Sequence, residues 1–342
     1  MNAIVIDRPH DVGFREVEPP ALGPDDVLIK SSVAGLCRTD LDVVAGRVPD
    51  HWVRYPCIPG HEWSGTVAEV GANVQDLEVG RRVVAEGIVP CHSCPRCKAG
   101  DTNLCLNYEQ LGFTRPGGCA ELVAAPRHVV HPLPDNTSLD AAVLIEPASC
   151  VYRGLERTEP RPGDAIGIIG VGTLGSIAVQ LARLWHPRCV IAYGIRPEEL
   201  DFAARLGADH TVAIDEADPE EATGDLLGGG LDVVIETAGH PDAVDAATRV
   251  VRPGGGVALL GVSGSGRLLH IPADRFMVKD VTVIGSFSYT TRVWSIVVGL
   301  VADGLVDFER LVTHRFAARD YDQALALLEH REGTVVKIVL EH

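Results

Sequence analysis

No stretch of the 342-residue chain reaches the ~18 consecutive apolar residues of a membrane-spanning helix. The opening residues, Met1-Asn2-Ala3-Ile4-Val5-Ile6-Asp7, have neither the basic start nor the apolar run of a signal peptide. They read as a short strand, and a cytoplasmic location is the expectation. Basic residues are scarce: 30 Lys+Arg stand against 47 Asp+Glu, a net charge of −17. So acidic a surface repels phosphate backbones and anionic lipids, which argues against nucleic acid and membrane as partners. Internal repeats and low-complexity tracts are missing as well, which excludes repeat arrays.

What remains is an ordinary globular balance, 46% hydrophobic and 23% charged. The length suits about two domains and a large core that needs no disulfide staples. Nine cysteines occur, at 37, 57, 91, 94, 97, 105, 119, 150 and 189. An odd count with no secretion signal disfavours a disulfide framework. Four of the nine fall between 91 and 105, and that clustering points to a metal.

The first 150 residues are rich in short β-branched runs, with strands predicted at 27–33, 64–70 and 82–85. Gly35, Gly46, Gly60, Gly71 and Gly80 break them, and no helix-period stretch dominates. The pattern changes at the turn-rich Glu159-Pro160-Arg161-Pro162-Gly163-Asp164. Beyond it, strands at 165–169, 190–193, 232–236, 257–260 and 281–284 alternate with helical segments at 176–185 and 197–206. Such alternation predicts an α/β fold, a doubly wound parallel sheet with helices on both faces. The six carboxylates of 215–225 read as a solvated loop and helix face, and a helix (321–329) and a strand (335–340) close the chain.

Two groups of residues suit metals. Cys91-x2-Cys94-x2-Cys97-x7-Cys105 lies among Pro90, Pro95 and Gly100. Four thiolates on one short loop close a tetrahedral shell around zinc at roughly 2.3 Å each, leaving no open position. That makes the site structural, with an iron–sulfur cluster as the competitor, and the metal supplies the folding energy that a loop with few apolar residues lacks. His92, inside the loop, is expected to be exposed. The second group is Gly60-His61-Glu62-x2-Gly65-x5-Gly71-x2-Val74, with Cys37-Arg38-Thr39-Asp40 upstream and Ile145-Glu146-Pro147 downstream. Singly these are a buried thiol, a core histidine and a surface carboxylate. Together they offer a thiolate, an imidazole and one or two carboxylates, a set that suits a catalytic zinc with an open position. Asp40 is placed to accept the spare ring N–H of His61.

Gly170-Val171-Gly172-Thr173-Leu174-Gly175 follows a predicted strand and opens a helix, the context in which this spacing binds a dinucleotide. Gly170 permits the tight turn, Gly172 the approach of the pyrophosphate, and Gly175 close helix–strand packing. NAD-specific proteins carry an acid at the end of the second strand to hold the ribose 2′-OH. Here Gly194 stands in its place and Arg196 follows, which suits a 2′-phosphate and predicts NADP(H) over NAD(H). Thr237, Gly261 and Val262, at later strand ends, are further expected cofactor contacts.

The Gly60–Val74 pattern, the preceding Cys37 and the four-cysteine loop together resemble the zinc-dependent medium-chain dehydrogenases, the alcohol and polyol dehydrogenase family. The resemblance covers essentially the whole chain. It implies a GroES-like, β-rich catalytic domain over 1–147 and 286–342, and a Rossmann dinucleotide-binding domain over 148–285. It implies an active site in the cleft between them. By position, Cys37 and His61 become ligands of the catalytic zinc, and Glu62 a ligand or exchangeable neighbour. Glu146 stands where polyol-type members carry a glutamate that binds zinc or lies beside its water. Thr39 takes the place of the hydroxyl that hydrogen-bonds the substrate oxygen and relays its proton. Asp42 stands where alcohol dehydrogenases often carry a histidine, a departure at the outer end of that relay. The second, structural zinc falls to Cys91, Cys94, Cys97 and Cys105.

The implied reaction is hydride transfer between a secondary alcohol and NADP(H). The Gly-x-Arg-Pro at 194–197 resembles that of NADP-dependent secondary alcohol dehydrogenases. Glu146 and the polar metal shell favour a polyol, sugar alcohol or aminocyclitol. The segments at 60–65 and 111–114 resemble aminocyclitol dehydrogenases of the 2-deoxy-scyllo-inosamine type. A simple secondary alcohol, or L-threonine oxidised at its 3-position with NAD(H), is the alternative. Two other classes are a zinc-free quinone-reductase relative and a nucleotide-binding sensor without catalysis. Trp52, Trp63, Phe113, Tyr289 and Trp294 are candidate pocket walls or core. The family also implies a homodimer or homotetramer, with the strand at 281–284 as the candidate joining edge.

Overall fold

Val27, Ile29 and Ser31 point to one side of an extended segment and are buried, the period-two pattern of a half-covered strand. That strand, Asp26–Leu36, runs through a seven-stranded sheet in a computed structural model that describes residues 1–264 and 266–342. Across the sheet the order is Val312–Ala317, Lys337–Glu341, Asp26–Leu36, Glu62–Val70, Arg82–Ala85 and Val130–Pro132, with Leu122–Pro126 also paired to Asp26–Leu36. All these pairings are antiparallel except that of Val312–Ala317 with Lys337–Glu341. Trp63, Val67, Val83, Val123, Tyr321, Ile338 and Leu340 fill its core.

Register in this sheet positions the side chains expected to bind a metal. Gly35 pairs with Glu62, and Leu36 pairs with Ile338. Cys37, Glu62 and Lys337 therefore emerge side by side although they come from distant parts of the chain. Gly35 has no side chain for a reason: a Cβ there would lie 2.6 Å from Lys337 Cε and 3.0 Å from Glu62 Oε2.

The remaining strands form a six-stranded, all-parallel sheet in the order His210–Ala213, Cys189–Gly194, Ala165–Ile169, Leu231–Glu236, Val251–Leu259 and Thr282–Gly285. Ala165–Ile169 and Cys189–Gly194 are buried throughout, as strands covered on both faces must be. The helices Thr173–Ala182, Pro197–Leu206, Pro219–Leu227 and Pro241–Val250 separate the strands, and the last three begin with proline, whose fixed φ suits the first helical position. The strand order reverses between Ala165–Ile169 and Leu231–Glu236, which opens a crevice at their carboxyl ends. Contacts divide the chain into two compact units, Met1–Glu146 with Tyr289–His342, and Pro147–Ser288.

Local differences from the sequence reading have simple causes. The helix expected at 176–185 starts earlier, at Thr173, and ends in a 3-10 turn at Arg183–Trp185. The strand expected at 257–260 is the end of the longer Val251–Leu259, whose first half is masked by Pro253 and three glycines. The β-rich first part also leads into a 13-residue helix, Ile145–Arg157. Ile145, Ala148, Val151 and Leu155 bury its apolar stripe at the three- and four-residue spacing of a helix, with Pro147 in its first turn disguising the start. Asp218, among the acidic 215–225 stretch, does more than face solvent: it accepts the Glu220 and Glu221 N–H groups at the start of Pro219–Leu227.

Candidate metal centres and nucleotide turn

Cys37 ends the strand Asp26–Leu36 and caps the short helix Arg38–Val44. Its Sγ accepts the Thr39 N–H at 3.3 Å, and its own N–H donates to Asp40 Oδ2 at 2.8 Å. His61 follows Gly60, whose φ of +99° and contact with the Cys119 backbone exclude a side chain. The turn delivers His61 Nε2 to 3.2 Å from Cys37 Sγ, with Glu62 Oε1 3.9 Å from the same nitrogen. One donor atom from each of Cys37, His61 and Glu62 lies within 4.8 Å of the other two. Bonds of ~2.0–2.3 Å in a tetrahedron separate neighbouring ligands by about 3.5 Å, so the three donors fit one zinc ion.

The charge of the site makes the same point. Asp40, Glu62 and Glu146 are buried beside the partly exposed Cys37. Facing them are His61 and Lys337, whose ammonium is fully buried and donates to Glu62 and to the Leu36 carbonyl. Burial, with Asp40 and Glu62 adding, holds the Cys37 thiol well above its usual range. Burial also raises the Asp40 carboxyl and pushes Glu146 up to about 7, where Glu62 and Asp40 add and His61 and Lys337 oppose. Several acids crowded in a desolvated space against one ammonium call for a further cation, which a dication supplies.

The other expected residues take distinct places. Asp40 Oδ1 lies 3.9 Å from His61 Nδ1, an electrostatic contact and not a hydrogen bond, since the carboxylate is directed to the Cys37 N–H. His61 Nδ1 is buried without a hydrogen-bond partner among the described residues. Glu146 is outside the three-donor group but close enough to feel His61 and Glu62. Thr39 is half-buried next to Cys37, and Asp42 turns outward to Arg47 at 2.6 Å. Trp63, Phe113, Tyr289 and Trp294 are buried; of these Phe113 packs on His61 with ring centres 5.0 Å apart. Trp52 stacks edge-on against Tyr108. Lys337 was not foreseen. Its signal is a lysine inside an otherwise apolar strand, Val335-Val336-Lys337-Ile338-Val339-Leu340, where a charge demands a partner.

Cys91, Cys94, Cys97 and Cys105 bring their sulfurs within 4.8 Å of one another. Backbone N–H groups point at these sulfurs: Cys91 to Cys105, Cys94 to Cys91 and Cys97 to Cys94, at 3.4–3.5 Å. Hydrogen bonds from Ser93 and from the Cys94 amide bring the Cys91 thiol down to about 5, so one thiolate is ready-made. Desolvation pushes Cys97 up to about 12. A closed all-sulfur set of this kind fits a structural zinc. His92 is exposed, as expected.

In the second unit the glycine turn has the required shape. Gly170 has a φ of +88°, and a Cβ there would sit 2.8 Å from Ala238. Gly172 caps the helix Thr173–Ala182, at whose start Thr173 and Leu174 are half-buried. A side chain on Gly175 would strike the Gly170 carbonyl. Thr237 bridges the reversal point, donating to the Ile169 and Gly170 carbonyls at 3.1 and 2.8 Å. Gly261 and Val262 lie against Gly239 on the next strand end, with Val262 exposed. Gly194 closes its strand, and Arg196 precedes Pro197–Leu206 with its guanidinium bonded to Glu199.

Residues 23–135 match the family model of the alcohol dehydrogenase GroES-like domain, and residues 173–303 that of zinc-binding dehydrogenases. A sorbitol dehydrogenase of Bacillus subtilis (strain 168) is 32% identical, over 99% of this chain and 97% of its own. Among solved structures, a zinc-binding dehydrogenase of Sinorhizobium meliloti 1021 bound to NADP superposes with a TM-score of 0.94 at 32% identity, covering 100% of this chain and 99% of the other. An alcohol dehydrogenase from Escherichia coli CFT073 complexed with NADH gives 0.92 at 26% identity, over 100% and 99%.

Proposed function

The chain belongs to the zinc-dependent medium-chain dehydrogenase family, and from that premise we propose that it interconverts a polyol-type secondary alcohol and its ketone with NADP(H). The substrate class includes sugar alcohols and aminocyclitols. The observation that carries this reading is the convergence of Cys37, His61 and Glu62 donors beside a second buried glutamate, Glu146. The sorbitol dehydrogenase relative supports the substrate class. Gly194 in place of an acid, Arg196 after it and the NADP-bound relative support the cofactor.

Cys37, His61 and Glu62 hold the catalytic zinc in this reading, with Glu146 beside it. Cys91, Cys94, Cys97 and Cys105 hold a structural one. Zinc supplies Lewis-acid polarisation of the alcohol or ketone oxygen, and the nicotinamide supplies the hydride site. The chain's own residues do the rest. The Thr39 hydroxyl, placed by the Cys37 cap, hydrogen-bonds the substrate oxygen and relays its proton, passing its own on toward solvent as it takes up the substrate's. Asp40 fixes the Cys37 backbone, and its charge favours a protonated Nδ1 on His61. Lys337 holds Glu62 in the metal pocket. The turn Gly170–Gly175 cradles the pyrophosphate, and Thr237, Gly261 and Val262 line the nucleotide crevice. The small-molecule substrate is the one partner this chemistry needs apart from further copies of the chain, which join as a homodimer or homotetramer. Among the described residues no helix is long and apolar enough to cross a membrane.

An initial-rate screen of zinc-replete protein tests the proposal. NADP+ and NAD+ are each paired with sugar alcohols, inositols, aminocyclitols, threonine and short secondary alcohols. An NADP+-dependent polyol hit is the expected result, and turnover confined to threonine or simple alcohols with NAD+ overturns it. Cys37→Ser abolishes turnover while NADPH binding survives, since the nucleotide turn lies in the other unit. Full activity in that variant refutes the role given to Cys37.

A further inference from the structure

Arg196 is the cation that the NADP reading assigns to the 2′-phosphate, yet it carries a partner already. Its guanidinium donates to Glu199 Oε1, one turn into Pro197–Leu206. The Glu199 side chain is 8% exposed and that of Arg196 25%, so the pair is poorly screened by water. Glu199 sits in the first turn of its helix, where the macrodipole favours an acidic side chain.

The neighbouring strand end explains why the acid is here. Dehydrogenases that select the ribose 2′-OH place a carboxylate on the last residue of this strand. That position is Gly194, and a Cβ on it would lie 2.8 Å from Val171 Cγ2 and 3.1 Å from Leu200 Cδ2. Val171 and Leu200 close the usual place for an acid. A carboxylate, that of Glu199, stands instead on the helix, three residues after the arginine. The chain thus holds both an acid and a cation at the spot where one of the two decides the cofactor.

We propose that Glu199 is a specificity-determining residue that competes with the 2′-phosphate of NADP(H) for the Arg196 guanidinium. This rests on the reading of Arg196 as the 2′-phosphate ligand. A 2′-phosphate reaching Arg196 must displace or share the Glu199 carboxylate and meet its negative charge at short range. A 2′-hydroxyl meets no such repulsion. Glu199 therefore weakens NADP(H) and leaves NAD(H) serviceable, narrowing the gap between the two.

The test is a fluorescence titration of full-length, zinc-replete protein with NADPH and with NADH. Removing one like charge near the phosphate in Glu199→Gln tightens NADPH about three- to tenfold, and NADH by much less. Glu199→Ala gives the same direction without the amide. Arg196→Ala weakens NADPH selectively, and Glu199→Gln added to it brings no gain. If Glu199→Gln and Glu199→Ala weaken NADPH, the carboxylate orients the arginine, and the proposal is overturned. Equal shifts for both nucleotides overturn it also. If Arg196→Ala leaves the NADPH-to-NADH ratio unchanged, the assignment of Arg196 itself fails, whatever Glu199 does.

Discussion

Lys337 shows how much one residue decides at the candidate metal centre. Its ammonium is fully buried and held by Glu62 and the Leu36 carbonyl. Truncating one partner of a buried ion pair costs about 3–5 kcal/mol, because the other charge stays behind unpaired. Lys337→Met would leave Glu62 among Asp40, Glu146 and the Cys37 sulfur. A bound dication offsets that charge, and a metal-free site does not. The thermal midpoint of Lys337→Met therefore falls further in chelator-treated protein than in zinc-replete protein. Thermal unfolding of both proteins, with and without chelator, measures the difference. Equal losses in the two forms would mean that the ammonium matters for packing alone and that no cation shares its task.

At the scale of an element, the loop between Cys91 and Cys105 contains only the short helix Pro95–Lys98 and the 3-10 turn Thr102–Leu104. Its apolar cluster consists of the cysteines themselves. Little besides a metal can hold such a segment. It also secures a neighbour within its own unit: Thr102 Oγ1 accepts the Thr291 N–H at 2.9 Å at the start of the helix Thr291–Ala302. The Thr291 hydroxyl in turn donates to the buried Glu86, which bonds His131. Cys97→Ser should then reduce bound zinc from about two per chain to about one, as the loop loses one of its four ligands. Hydrogen exchange at the Thr291 amide should accelerate at the same time. Metal analysis and exchange mass spectrometry check the two halves of this prediction. A protected Thr291 amide after zinc loss would show that the loop keeps its shape without metal. The loop was legible in the sequence because its four donors are local. The Lys337–Glu62 pair was not, since 275 residues separate its members and only sheet register joins them. Arg196 and Glu199 are three residues apart, but spacing alone does not tell a buried pair from two solvated charges at a helix start.

For the whole molecule, alternation of strands and helices made the parallel sheet of the second unit readable, and glycine spacing marked the tight turn Gly170–Gly175. The helix Ile145–Arg157 escaped although Ile145, Ala148, Val151 and Leu155 keep helical spacing, because Pro147 interrupts the pattern in its first turn. The strand expected at 281–284 as a joining edge is Thr282–Gly285, the last strand of the six-stranded sheet. It pairs with Val251–Leu259 on one side, and among the described strands it has no neighbour on the other. An open edge offers unpaired N–H and C=O groups, and proteins cover such edges. The flanking segments expose Leu268, Met277, Val278 and Phe287, with Met277 and Val278 each 72% exposed. Large exposed apolar side chains in the segments that flank an open strand edge suit a contact with a second copy, in which the two edges would continue one sheet. Light scattering on the native protein should then give a multiple of the 36.5 kDa chain mass. Met277→Asp with Val278→Asp places two like charges per copy in that contact and should shift the population toward a single chain. The donors of Cys37, His61 and Glu62 and the four cysteines of 91–105 belong to the other unit, so zinc content should stay the same in the variant. A native protein that already scatters as one chain would instead assign this apolar strip to another partner.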